Sequence, residues 1–180
     1  MKKQGVSSME NENFTAQQWI EYFWNKMIRG ERFSVDEIRE VVKTISVKDP
    51  IAARDAVTIF YSGEGSEFPL RLSETAGGEI RMIDRTEACK FLADERFDKI
   101  LNDAINFENP KLDSESQAFK DIHDSILYPG SRGSVAEGTW EASDGFWSIV
   151  SRRFASETSG DAYALVSNAL PDRIFATDEL

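Results

Sequence analysis

Cysteine and histidine are nearly missing from this sequence: Cys89 and His123 stand alone among 180 residues. One cysteine cannot close an internal disulfide, so the chain carries no covalent staple and suits a reducing compartment. With one Cys and one His far apart, neither a Cys–His nucleophile nor a histidine-based metal site is expected. His123 falls in a stretch of mixed polarity and reads as an ordinary surface or core residue. Positive charge is also scarce, with 21 Lys and Arg against 32 Asp and Glu and a net charge of -11. Such a surface repels nucleic acid over most of its extent. A dinucleotide is still compatible with it, because a few local Arg, Lys or backbone N–H groups can hold a pyrophosphate. No apolar run approaches the ~18 residues of a membrane span, so no membrane association is expected. Lys2 and Lys3 have no apolar segment behind them, unlike a secretory signal. Neither G-x-G-x-x-G nor a Walker loop occurs, which leaves a Rossmann or P-loop reading without support.

What the chain does have is enough length for about one domain with a real core. Four Trp and twelve Phe supply rings that fill cores or flat ligand slots. Residues 1–13 read as a disordered tail, 14–55 as an N-terminal helical segment, and 56–180 as the main domain, compact with that segment. Thr15 and Gln18 form a capping box ahead of WIEYFWNKMI, with Gly30 as the stop, and Ser34 and Glu37 repeat the device before IREVVKTI. Asp49-Pro50 predicts a further short helix with Pro at its first position.

A strand is expected at 56–62 (AVTIFYS), ended by Gly63 and Gly65. SEFPLRLSETA predicts a short helix, and EIRMID a second strand after Gly77-Gly78. Helical stretches follow at TEACKFLADERFDKILNDAINFE and SESQAFKDIHDSIL, separated by Asn109-Pro110. Residues 128–139 form a Gly/Ser loop of the kind that borders sites. Ser143 is the expected cap of the helix FWSIVSRRFASE. DAYALVS then reads as a strand, Pro171 as a turn, and RIFATDEL as a last strand. This order predicts an α+β or α/β fold, a helical N-terminal part beside a small, mostly parallel sheet.

With His, Cys and phosphate loops set aside, the chemistry rests on carboxylates, aromatics and hydroxyls. That set suits cleavage of a glycosidic bond whose leaving group is already cationic. Nicotinamide leaves NAD as a neutral base, so no general acid is required. The transition state needs a negative charge beside an oxocarbenium-like ribose, and flat surfaces to hold the ring. A cationic pyridinium also gains from the quadrupole of Trp or Tyr.

The segment Phe146-Trp147-Ser148-Ile149-Val150-Ser151-Arg152-Arg153-Phe154-Ala155 resembles the FW-x-x-x-SRRFA helix of the ADP-ribosyl cyclase family. In that family a strand, a turn and a second strand carrying F-x-x-x-E follow; here these are Asp161–Ser167 and then Phe175 to Glu179. Upstream, Thr58-Ile59-Phe60-Tyr61-Ser62 is similar to the family strand ending in F-W-S, with Tyr61 in place of Trp. Ile83-Asp84-Arg85-Thr86 is similar to its L-E-D-T segment, with Asp84 in place of Glu. The resemblance covers roughly residues 57–92 and 140–180.

It implies an ADP-ribosyl-cyclase-like fold and an NAD(P) glycohydrolase that takes NAD or NADP as substrate, needs no cofactor, and forms some cyclic product. By the same resemblance Glu179 is the carboxylate that stabilises the ribosyl cation, with Trp147 and Tyr61 as aromatic walls. Asp84 contacts the carboxamide, Ser151 meets the ribose, and Ser62 and Phe175 help place the phosphates. Two positions depart from the family: Gly63 stands where Arg is common, and Ile174 where a hydroxyl is usual. Arg132, in the GSRGS loop, is the candidate replacement for the lost phosphate contacts. Without disulfides, the resemblance points to a bacterial relative, an NAD-depleting toxin domain acting in the cytosol of a target cell and countered by a cognate immunity protein. A catalytically degenerate nucleotide-binding module and a protein ADP-ribosyltransferase are the alternatives.

Overall fold

The computed structural model describes residues 14–62, 67–76, 78–128 and 145–166. The first helix, α1 (Ala16–Ile28), and the second, α2 (Val35–Thr44), both begin at reciprocal capping boxes, Thr15 with Gln18 and Ser34 with Glu37. In each, two backbone donors left open by the helix start are satisfied locally. The sequence pattern predicts both. Gly30, at φ 68°, ends α1 in the left-handed region that glycine enters without a Cβ penalty.

Strand β1 (Val57–Ser62) leads to α3 (Glu67–Ala76) and then to β2 (Ile80–Arg81). A short 3₁₀ turn at Ile83–Arg85 precedes α4 (Glu87–Leu92), α5 (Phe97–Glu108) and α6 (Gln117–Leu127). The last described elements are α7 (Phe146–Ser156) and β3 (Ala162–Val166). The strands form one parallel sheet in the order β2-β1-β3. Val57 pairs with Ile80, and Thr58 through Ser62 pair with Ala162 through Val166. The fold is thus mixed helix with a small open parallel three-stranded sheet, as the alternation of elements predicts.

Several expected elements come out differently. Asp49-Pro50 starts no helix. Instead Asp49 Oδ1 accepts from Ile51 N at 2.9 Å and Ala52 N at 3.3 Å, which closes a side-chain turn, the alternative that Asp always offers the backbone. The stretch from Thr86 to Glu108 is two helices, not one. It breaks where Asp94 binds Arg96 through both backbone and side chain. The second strand is shorter than EIRMID, because Met82 turns into the 3₁₀ segment. Gly145 is the N-cap of α7. Ser143, the tail 1–13, most of the Gly/Ser loop and the final strand lie outside the described residues.

The core lies mainly among the helices. Trp19, Ile20 and Phe23 of α1 and Ile38, Val41 and Val42 of α2 pack with Phe91, Phe97, Ile100, Leu101, Phe146, Val150 and Phe154. Apolar residues on each helix recur at three- and four-residue spacing, so a single face turns inward. Fully burying such a side chain is worth roughly 1.5–3 kcal/mol. A smaller cluster of Ile59, Ile80 and Met82 lies under Val57, Tyr61 and Ala76.

Successive residues of β1 point to opposite faces, and the two clusters record this. Val57, Ile59 and Tyr61 face the smaller cluster with α3, while Phe60 meets the ring of Phe154 on α7 at 5.8 Å. The α3 crossover and the longer return through α7 therefore cover opposite faces. Among the described residues, no helix is long and apolar enough to cross a membrane.

Candidate active site

In an open parallel sheet, ligands sit outside the carboxyl ends of the strands, where one connection leaves for one face and its neighbour for the other. Here the connections that follow β1 and β2 leave for opposite faces. From β1 the chain moves on to α3; from β2 it moves towards α4 and, later, α7 on the opposite face. Tyr61 and Ser62 end β1, and Asp84 lies three residues beyond Arg81 at the end of β2. Tyr61 and Ser62 thus lie at the carboxyl end of β1, while Asp84 follows the end of β2, which pairs with Thr58 near the start of β1.

The backbone under Asp84 is held from both directions. Asp49 Oδ2 accepts from Met82 N at 2.9 Å. Thr86 Oγ1 donates to Ile83 O at 2.6 Å and accepts from Cys89 N at 3.1 Å, so one fully buried hydroxyl joins the 3₁₀ turn to the first turn of α4. Thr86, rather than Asp84, caps α4. The Asp84 carboxyl is accordingly free for other work. Its Oδ1 lies 3.7 Å from Cys89 Sγ, and its Oδ2 is buried with no hydrogen-bond partner. Burial pushes this carboxyl above the usual Asp range, opposed by the Cys89 thiol and the Asp84 backbone N–H. A carboxyl raised by desolvation, with one oxygen unpartnered, makes Asp84 a candidate functional group.

Trp147 and Ser151 lie one turn apart on α7. The far end of this helix is tied to the amino end of the sheet. Arg81 Nη1 donates to Glu157 O at 2.6 Å, Thr58 N donates to Asp161 O at 2.9 Å, and the Arg81 guanidinium covers the Phe154 ring at 4.6 Å. The helix therefore directs its first turn, with Trp147, away from the amino end. Trp147 is half-buried against the helical core, while Ser151 is 4% exposed. Ser148, fully enclosed, has an Oγ without a partner. Arg153 Nη1 donates to Val42 O at 2.8 Å, which fastens α7 to α2. That bond assigns a structural role to the second arginine of the SRRFA segment.

Tyr61 and Trp147 belong to different clusters, the first beside α3 and the second in the helical core. A shallow apolar hollow of about 350 Å³, lined by Val57, Ile59, Leu72, Ala76, Glu79, Ile80 and Tyr163, sits over the amino-terminal half of the strands and includes none of the expected site residues. Glu179, Phe175 and Arg132 lie outside the described residues, as does the side chain of Ser62. Among the described residues no group of His, Cys, Asp and Glu is placed to hold a metal ion.

Sequence reasoning gave no site role to three residues that build this corner: Asp49, Thr86 and Cys89. The Thr86-Glu87-Ala88-Cys89 segment did carry a signal, a hydroxyl three residues before a residue whose backbone N–H it caps. Asp49 carried none, because its partner Met82 is remote in sequence. Comparison with family models, curated proteins and solved structures finds no match to this chain.

Proposed function

We propose that this protein has an ADP-ribosyl-cyclase-like fold and cleaves NAD(P) at the nicotinamide–ribose bond, giving nicotinamide and ADP-ribose with some cyclic ADP-ribose. The observation that carries the reading is the Asp84 carboxyl. It is raised by burial, has Oδ2 unpartnered, and lies just beyond the end of β2. The motif resemblance at Trp147–Ala155 and at Phe175–Glu179 supplies the reaction class.

In this reading Glu179 provides the negative charge that faces the developing ribosyl cation. Water then adds to the anomeric carbon, nicotinamide departs as a neutral base, and the water's proton passes to solvent. Asp84 addresses the carboxamide, Trp147 and Tyr61 flank the nicotinamide ribose, and Ser151 meets the ribose. Ser62, Phe175 and Arg132 hold the phosphates. The biological setting that goes with it is an antibacterial toxin domain that empties NAD in the cytosol of a target cell and is restrained by a cognate immunity protein.

Incubation of the full chain with NAD should release free nicotinamide, and Glu179→Gln should reduce the rate by at least about a hundredfold, as for loss of a principal electrostatic stabiliser. Equal release by both proteins removes the mechanism. Gly63 and Ile174, which replace phosphate contacts usual in the family, favour a second reading, a nucleotide-binding module without turnover. Calorimetric NAD binding with no nicotinamide release would establish that one. Radiolabel moving from NAD onto protein rather than into ADP-ribose would identify a transferase.

A further inference from the structure

The Asp84 carboxyl is oriented by something the resemblance does not supply. With Met82 fixed by Asp49 and Ile83 fixed by Thr86, the backbone on its amino side is pinned, and rotation of the carboxyl about its own bonds is what remains. The group that meets it is the Cys89 thiol, 3.7 Å from Oδ1. Cys89 cannot drift, since its backbone N–H is bonded to the same Thr86 hydroxyl and its side chain is 7% exposed.

We infer that Cys89 is a positioning residue for the candidate site: its S–H donates to Asp84 Oδ1 and sets the plane of the carboxyl. Two observations of different kinds meet here, the thiol–carboxyl contact at 3.7 Å and the buried Oδ2 with no partner. If the carboxyl could turn freely, either oxygen could serve the thiol; with Oδ1 held by Cys89 and Oδ2 enclosed, one orientation is selected. Burial, with Asp84 beside it, pushes the Cys89 thiol up to about 12. At neutral pH the sulfur therefore keeps its proton, and the thiol acts as a weak donor, not as a nucleophile. A serine there would also donate, whereas an alanine would release the carboxyl.

The role in catalysis rests on the glycohydrolase reading, but the thiol contact does not, and the two are tested apart. Because Cys89 is the single cysteine of the chain, its S–H stretching band in the infrared is unambiguous. In the full chain that band should be displaced to lower frequency, as for a hydrogen-bonded thiol. Asp84→Asn should return it part of the way and Asp84→Ala the whole way to the free-thiol position. A band unchanged in both variants overturns the inference, whatever the activity.

In the NAD assay, Cys89→Ala should lower kcat/KM about fivefold to tenfold, in keeping with loss of one positioning hydrogen bond, and Cys89→Ser should recover most of it. Unchanged turnover in Cys89→Ala overturns the positioning role. A parent chain that releases no nicotinamide overturns the glycohydrolase reading and this role with it, while the infrared result still decides the thiol contact.

Discussion

Asp49 is the residue whose removal tests the architecture of the site corner most directly. Its carboxyl is fully enclosed and accepts from three backbone N–H groups: Ile51 at 2.9 Å, Ala52 at 3.3 Å and Met82 at 2.9 Å. The Arg85 guanidinium adds a fourth neighbour at 3.9 Å. The first two bonds shape the turn after α2; the third fastens that turn to Met82, just past β2 and two residues before Asp84. Asp49→Ala leaves the Met82 N–H buried without an acceptor and opens the turn. Hydrogen bonds to a charged acceptor are worth roughly 1.5–3 kcal/mol, and an orphaned buried donor costs about 1–3 kcal/mol. These contributions overlap, so the expected loss is about 3 kcal/mol, a large share of the ~5–15 kcal/mol that holds a domain folded. Asp49→Asn keeps an acceptor for the turn but not for Met82, and should lose about half as much.

Urea unfolding followed by tryptophan fluorescence is a suitable assay, because Trp19 sits in the main core, 6% exposed. For a domain of this size the Asp49→Ala loss corresponds to a fall in Tm of roughly 6–12 °C. Stability within about 0.5 kcal/mol of the parent for both variants, the range of ordinary surface changes, would refute the latch and with it the fixed backbone beneath Asp84.

Asp84→Asn should raise stability at neutral pH, and the gain should shrink as the solution is acidified. The sign follows from burial raising the folded carboxyl: its contribution is full below the ordinary Asp range and is lost as pH rises through the raised value. Unfolding curves at neutral and acid pH check this, and a gain independent of pH counts against it. Gly78→Ala should cost roughly 2–3 kcal/mol, since Gly78 has φ 95° and an added Cβ would stand 2.7 Å from Ile51 O. Gly30→Ala, at φ 68° in open space, should cost about 1 kcal/mol. Equal unfolding midpoints for the two would contradict the close approach at Gly78.

The parts of this molecule legible in its sequence are those whose forces act within a few residues. Thr15 and Ser34 could be read as caps because the N–H groups they satisfy are three positions away. The strand at Val57–Ser62 could be read from its β-branched and aromatic run. Parallel pairing followed from the alternation of strand and helix. Asp49 was misread because the local rule, Pro at a helix start, competes with an acceptor that the carboxyl's own turn and distant Met82 both use. The break between α4 and α5 was hidden for a related reason: the Asp94–Arg96 bracket replaces helix bonds without a Gly or Pro to mark it.

Only the tertiary structure decided what surrounds Asp84. Sequence determined its residue type and its position after a strand. The buried Oδ2, the thiol at Oδ1 and the Thr86 brace depend on packing. Likewise the alternation of β1 told that Phe60 and Tyr61 diverge, but their surroundings, α7 on one face and α3 on the other, were fixed by the opposite-sided crossovers. Local hydrogen bonding can be counted along a chain. Desolvation cannot, because it is set by residues that folding brings together from distant positions.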